Sequence, residues 1–307
     1  MPTCIEELSK RLPHIDPSTW QERFELGGVY LAGKPATAFD PIVLPCRLEY
    51  YEPRFDIAKA AEFFPQFDPS MIIAMDQDVG VAIKPAGLPT TPSRDQGRYN
   101  LQSYLSVHLG EPVHTPSRLD TGVPGLLLFT RSARMNRALQ KAYEQKRIHK
   151  AYVAMLPGIS DWHDYDVVHR LARDERHPVL RRAVQEGGES AHTRFSTLFE
   201  DRAESLVLAE PLTGRTHQIR VHCAAEGRPI KGDPYYGGVH DPHLHLVSFG
   251  LRFFHPFTQE YKTYLLPRQW WPEWLKQVEA RCGSLPERLC AVREHFSGRE
   301  TKWAPST

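Results

Sequence analysis

An unbroken apolar stretch in the middle of the chain is Leu126-Leu127-Leu128-Phe129, entered through Gly122-Val123-Pro124-Gly125 and left at Thr130. An apolar run of that length bounded by turn residues predicts a buried strand. Further strands are predicted at Met71–Met75 and Val79–Ile83, on either side of an Asp76-Gln77-Asp78 turn, and at Ala151–Leu156. Ala191–Phe199 and Glu204–Glu210 alternate apolar and polar residues as paired strands do. The period changes to that of a helix after Asn100, where Leu101, Tyr104, Leu105 and His108 share a face. It does so again after Ser132, where Met135, Leu139, Ala142 and Tyr143 form the stripe. Asn100 and Ser132 are the expected N-caps. Near the N-terminus, Ser18 and Thr19 precede a short helix over Trp20–Leu26 that stops at Gly27-Gly28, and Val29–Pro35 reads as a strand running into a turn. The proline-marked segment 52–69 reads as a connection. Residues 170–188 read as a hairpin or extended loop, and Thr213–His222 as a turn entering a strand or a helix. Ile230–Gly238 is a glycine-rich loop, and the polar tail beyond Gly298 is expected to be loose.

Composition narrows the class. The 307 residues are 41% hydrophobic and 24% charged, the balance of a globular protein of one large domain with a small appendage. No apolar run approaches the ~20 residues of a membrane span, and the N-terminus does not read as a signal peptide. Five cysteines without a C-x-x-C pair argue against a disulfide framework or a zinc ribbon and favour the cytoplasm. The net charge of +1 gives no global sign of nucleic-acid binding, but charge is segregated. Arg131, Arg134, Arg137, Lys141, Lys146, Arg147 and Lys150 face the single acid Glu144, whereas the first sixty or so residues lean acidic.

The candidate chemistry lies just before the buried strand, in Ser117-Arg118-Leu119-Asp120-Thr121-Gly122. Spacing alone fits a turn in which Asp120 caps the backbone and Arg118 is a surface charge. It also fits a carboxylate held rigidly at the edge of a core, where catalytic groups tend to sit. Arg118-Leu119-Asp120 with Pro124-Gly125-Leu126-Leu127-Leu128 resembles the catalytic motif of the RluA-type pseudouridine synthases. Four further blocks resemble that family in the same order: Lys84–Pro89, Lys150-Ala151-Tyr152, Gly214–His222 (G-R-T-H-Q-I-R-V-H) and Gly232–Gly237. His255-Pro256-Phe257-Thr258 is a weaker sixth. The similarity runs over about residues 65–270.

That resemblance implies an α+β fold with a mostly antiparallel central sheet, flanking helices and a catalytic cleft. A catalytic domain over 65–280 would be followed by a C-terminal helix and tail over 281–307. A small module over 1–60 would precede it, resembling an S4-like RNA-binding unit through its short helix, Gly27-Gly28-Val29 and Gly33-Lys34-Pro35. The implied activity is isomerisation of uridine to pseudouridine in structured rRNA or tRNA by a cytoplasmic monomer, without cofactor or metal. Asp120 would be the nucleophile, attacking ribose or base; with a reference pKa of ~3.9 it needs no activating base. Arg220 would hold it through a bidentate fork, Tyr152 would stack on the uracil and serve in proton transfer, and Ile219 would pack against the base. Arg118 would fill the space left by the flipped uridine, and Lys84, Lys150, Arg131, Arg134, Arg215 and His217 would stand on the RNA side.

Ser117 stands where the family usually has histidine, and the loop around Pro124 lacks the usual charged residues, which bears on target choice and loop geometry. Two other classes compete. One is an RNA-binding protein without turnover, which would not need Asp120, Tyr152 and Arg220 together. The other is a metal-dependent hydrolase built on His240, His243 and His245 or on His217 and His222; His243 and His245, if on a strand, would share a face.

Overall fold

The computed structural model describes residues 1–43, 45–51, 55, 59–92, 97–175 and 179–297. The N-terminal unit contains two helices, α1 (Cys4–Arg11) and α2 (Pro17–Leu26), and a three-stranded antiparallel sheet, β1 (Val29–Leu31), β2 (Lys34–Pro35) and β3 (Leu48–Tyr50), in the order β2-β1-β3. It has its own core of Cys4, Leu8, Trp20, Phe24, Val29 and Ile42. Helix α2 starts earlier than Ser18 and Thr19 suggest: Asp16 is the cap, its carboxylate accepting from Ser18 N, with Pro17 in the first turn and Gly27 closing the helix at φ 91°. A proline in the first turn loses no intrahelical bond, so it favours this earlier start.

The expected connection over 52–69 is partly ordered structure: α3 (Ala60–Phe63) leads to Phe64, which stacks on Tyr99 with centroids 5.0 Å apart. Residues 52–54 and 56–58, Pro53 among them, lie outside the described residues.

The rest is built on one ten-stranded sheet. Its strands are β4 (Ile72–Met75), β5 (Val79–Lys84), β6 (Gly125–Thr130), β7 (Ile148–Pro157), β8 (Tyr165–Arg173), β9 (Arg181–Val184), β10 (Glu189–Glu200), β11 (Glu204–Pro211), β12 (Leu246–His255) and β13 (Glu260–Leu265). The order is β4-β5-β6-β12-β7-β11-β10-β8-β9, with β13 alongside β12. Every pairing is antiparallel except β6 with β12. The hairpin anticipated over 170–188 is the β8–β9 pair. Helices α4 (Leu101–Leu109) and α5 (Ala133–Glu144) carry the expected caps: the side chains of Asn100 and Ser132 accept from Ser103 N and Met135 N.

The sheet separates two apolar layers. One holds Leu126, Leu128, Met135, Leu139, Val153 and Phe249 together with α7 (Glu273–Arg281) and α8 (Leu285–Ser297), whose Trp274, Leu275, Leu285 and Leu289 enter it. Helix α8 therefore packs into the same apolar layer as the sheet, although the chain from 281 was expected to be an appended helix and tail; the tail after 297 lies outside the described residues. The other layer holds Leu101, Leu105, Leu127, Phe129, Tyr152, Val207 and Ile219. Among the described residues, no helix is long and apolar enough to cross a membrane.

Candidate active site

The loop bearing Asp120 is tied on both sides. Before it, the Thr90 hydroxyl accepts from Leu119 N (3.1 Å) and donates to Leu119 O (3.0 Å). After it, the Thr121 carbonyl accepts from Gly87 N and from the Lys84 ammonium, both at 2.9 Å. Asp120 itself closes a turn, its carbonyl accepting from Val123 N. Pro124 then offers its carbonyl to Ser248 N, and Gly125 crosses β12 at φ 117°, where a Cβ would lie 2.2 Å from Ser248 O. Only glycine fits that crossing, so β6 begins where it does and Asp120 is held at the cleft edge.

Helix α6 (Gln218–Ala225) brings the second half of the site. Its entry is locked by Gln218, whose side chain accepts from Thr213 Oγ1 and Arg215 N and donates to His192 O and Thr193 Oγ1. Arg220 follows on the buried side. Its Nη1 lies 3.2 Å from Asp120 Oδ2, while Nε and Nη2 grip Asp233 at 2.7 and 2.8 Å. The bidentate fork expected on Asp120 is thus on Asp233, which is fully buried and also accepts from Tyr235 N and Tyr236 N. Burial works against the Arg220 charge, but the two carboxylates more than offset it and raise its pKa. The Tyr235 and Tyr236 rings pack at 5.4 and 5.2 Å from the guanidinium.

His217, at the head of α6, adopts the left-handed conformation (φ 56°), which costs a non-glycine residue on the order of 1 kcal/mol or more. Its Nδ1 meets the Tyr236 hydroxyl at 2.8 Å and its Nε2 lies 3.7 Å from Asp120 Oδ2. The Tyr236 oxygen also accepts from Arg181 N, which ties the His217 ring to the β9 edge. Burial lowers the His217 pKa and keeps the ring neutral.

Tyr152 lies mid-strand in β7, opposite Ala209 and Ser248, and is 7% exposed. Burial raises its hydroxyl pKa, with the nearby Tyr143 and Asp120 adding to the effect. It therefore rests protonated, fit to donate or relay a proton rather than to act as a resting base. Ile219 is buried in the same apolar layer and does not line the cleft.

Asp120, His217, Arg220 and Tyr235 border a cleft of about 2300 Å³, with Arg118, Lys146, Lys150 and Arg215 also among its walls; Tyr152, Ile219 and Asp233 lie outside its lining. Arg118 is exposed there and makes no hydrogen bond or ion pair among the described residues. Ser117, just before it, donates to the Tyr143 hydroxyl (2.9 Å). Over the Tyr143 ring, at 5.0 Å, stands the Lys150 ammonium, which burial pushes down to about 8. Arg215 is engaged with Glu189 at 2.6 Å and with Ser190 O.

Three expected RNA contacts are placed elsewhere. Lys84 is wholly buried and donates to the carbonyls of Pro85, Leu88 and Thr121 at 2.7–2.9 Å; it braces the Asp120 loop and cannot reach a phosphate. Burial pushes its ammonium down to about 7, against the pull of the Asp120 charge. Arg131 is tied to Glu111 and to Asp76 O, and Arg134 lies over the Phe257 ring at 4.5 Å; neither borders the cleft.

Sequence reasoning noticed the block containing Asp233, Tyr235 and Tyr236 but assigned them no role, and missed Thr90 and Gln218. Nothing in a linear pattern marks a carboxylate as the partner of an arginine 13 positions earlier. The histidines do not assemble either. Strand β12 begins only at Leu246, so His243 is exposed while His245 stacks on Trp274 at 4.9 Å. Among the described residues, no group of three or more His, Cys, Asp or Glu side chains could hold a metal ion.

Residues 78–225 match the family described as RNA pseudouridylate synthase. The dual-specificity RNA pseudouridine synthase RluA of Vibrio cholerae is 30% identical over 71% of this chain and 91% of its own length. The chain belongs to the RluA-type RNA pseudouridine synthases. The synthase YhcT of Bacillus subtilis is 32% identical over 66% of this chain and 70% of its own. The structure of human RNA pseudouridylate synthase domain containing 1 superposes with a TM-score of 0.55 at 25% identity, over 66% of this chain and 84% of that one. The α+β fold with its largely antiparallel sheet is thus that of pseudouridine synthases, and the reaction of this RluA-type enzyme is isomerisation of uridine to pseudouridine in RNA.

Proposed function

We propose that Asp120 is the nucleophile of this synthase and that its substrates are particular uridines of structured rRNA or tRNA, flipped from their stacks into the cleft. The observation that carries the reading is the single accessible carboxylate of the Arg220 network: Asp233 is sealed, whereas the Asp120 side chain is 27% exposed and faces the cleft. An ionised carboxylate held by one arginine nitrogen is oriented yet keeps lone pairs for attack on ribose C1′ or on the base. Asp120 bonds to C1′ as the N1–C1′ bond breaks, or adds to the base beforehand; the uracil turns, C5 bonds to C1′ as the bond to Asp120 is released, and the C5 proton leaves while N1 gains one. Tyr152 lies beneath the site as a protonated phenol and is read as a ring platform and proton relay. Ile219 supports it from below. Arg118, unpaired on the cleft wall, is read as the side chain that fills the stack after flipping, a step of a few kcal/mol.

Lys150, Arg215 and His217 line the path of the RNA backbone and target base. The cleft is far larger than one nucleotide, which supports a folded RNA. The Vibrio cholerae relative's dual specificity suggests more than one target RNA. One chain supplies the whole cleft, so the enzyme is read as a monomer, and its unpaired cysteines fit the cytoplasm. The N-terminal unit, two helices on a small sheet, is read as an S4-like RNA-binding module.

The test is release of tritium from RNA labelled at uracil C5. Wild type is expected to release label and Asp120→Asn none, with RNA affinity held within about tenfold, or ~1.4 kcal/mol. Release by the variant at a comparable rate would show that another group is the nucleophile.

A further inference from the structure

A second cluster of cations lies on α5 and the segment that follows it. Arg134, Arg137, Lys141, Lys146 and Arg147 are all exposed on or just after α5, and none has an ion pair or hydrogen bond through its side chain among the described residues. The contrast is with the arginines of other faces, since Arg131, Arg194, Arg215, Arg268 and Arg281 each meet a carboxylate. Beneath these cations lies an apolar hollow of about 410 Å³ lined by Ala138, Ala142, Phe254 and Pro256, with Lys141 and Arg147 on its rim. The turn that closes it presents aromatic faces: Phe257 under the Arg134 guanidinium, and Tyr261, half exposed, edge-on to Phe254 at 5.1 Å. The surface is continuous with the cleft, because Lys146 and Lys150 border the cleft while Gln145 and Arg147 border the hollow.

We propose that α5 and the 254–261 turn form a second RNA-contact surface, which holds the segment flanking the target uridine as it leaves the cleft across the 144–150 ridge. The inference rests on the reading of the cleft as the uridine site and extends it to the flanking RNA. Unpaired cations that outnumber the acids beside them, here Glu144 on α5 and Glu260 in the turn, bind phosphates by releasing counterions. Aromatic faces between such cations accept unstacked bases without reading their sequence.

The experiment compares wild type with Arg137→Ala/Lys141→Ala, two exposed helix positions where alanine is a good helix former. Binding is measured to bulk ribosomal RNA and bulk tRNA, and to a short uridine-containing stem-loop that fills only the cleft. Loss of two phosphate contacts is expected to lower the slope of log affinity against log salt by about 1.4–1.8. Affinity for the long RNAs should fall roughly tenfold, with that for the stem-loop and the maximal rate of tritium release unchanged. Unchanged affinity and slope on long RNA would overturn the proposal, and so would equal weakening on the stem-loop, which would mark general charge attraction. Wild-type tritium release is scored separately, so absence of any release would count against the cleft reading and not against this surface.

Discussion

Arg220 meets Asp233 with two nitrogens and Asp120 with one, so most of its charge is matched by the carboxylate sealed from the cleft. Asp233→Asn removes that partner and leaves a buried guanidinium underpaired. A loss of about 3–5 kcal/mol is expected in denaturant unfolding, with kcat reduced at least tenfold; wild-type stability in the variant would mean the fork contributes nothing. His222 makes a different kind of prediction. Both of its ring nitrogens are buried without a hydrogen-bond partner, and burial, with the neighbouring His169 adding to it, lowers its pKa to about 4. The folded protein keeps this ring neutral while the unfolded chain takes up a proton below pH ~6.5, so stability falls as pH drops from there toward 4. Between pH 7.5 and 5 this one group is expected to remove about 2 kcal/mol. His222→Leu should reduce that loss in paired unfolding curves, and an identical pH dependence would discard the assignment. At this scale the sequence pointed to Asp120, Arg220 and Tyr152 through the family resemblance. Asp233, His222 and Thr90 were not legible, because what distinguishes them is the neighbour each meets across the fold.

The elements were easier to read than their ends and their functions. Asn100 and Ser132 cap the helices they were expected to cap, and Leu126–Thr130 is the buried strand its apolar run implied. Both follow from local chemistry: a side-chain oxygen meeting a free N–H, and a stretch with no polar face to expose. The β6–β12 crossing is non-local. A Cβ at Gly125 would strike the backbone of Ser248, so Gly125→Ala must open the strand pairing that anchors the Asp120 loop. Several kcal/mol of destabilisation and near-complete loss of tritium release are expected; an active variant with wild-type melting would show that the crossing tolerates the added carbon. The basic run 131–150 also divided by environment. Its members are alike in charge, yet Arg131 pairs with Glu111, Lys150 borders the cleft, Arg134 lies over the Phe257 ring, and Arg137 and Lys141 are exposed with no ion pair or hydrogen bond among the described residues.

At the scale of the molecule, the N-terminal unit has its own apolar core and touches the catalytic unit through contacts such as Arg98 N to Leu26 O. Among the described residues, none before Pro89 borders the cleft. Deleting residues 1–51 is therefore expected to leave the maximal rate within about threefold, ~0.6 kcal/mol of barrier, while KM for structured RNA rises if this unit binds RNA. A collapse of the maximal rate in a folded truncated protein would place the unit inside the catalytic machinery. What the sequence determined by itself was local or compositional: the strands and capped helices, five cysteines without a C-x-x-C pair, the segregated charge, and blocks specific enough to name a family and its candidate nucleophile. What only the tertiary structure decided was which groups meet. It moved the arginine fork from Asp120 to Asp233 and sank Lys84 into a cage of carbonyls. It also separated His243 from His245 and divided one basic run between an ion pair, the cleft and an outer face. The reason is physical: capping and burial periodicity act over a few residues and leave a trace in the chain, whereas ion pairing and desolvation depend on partners brought together only when the sheet closes.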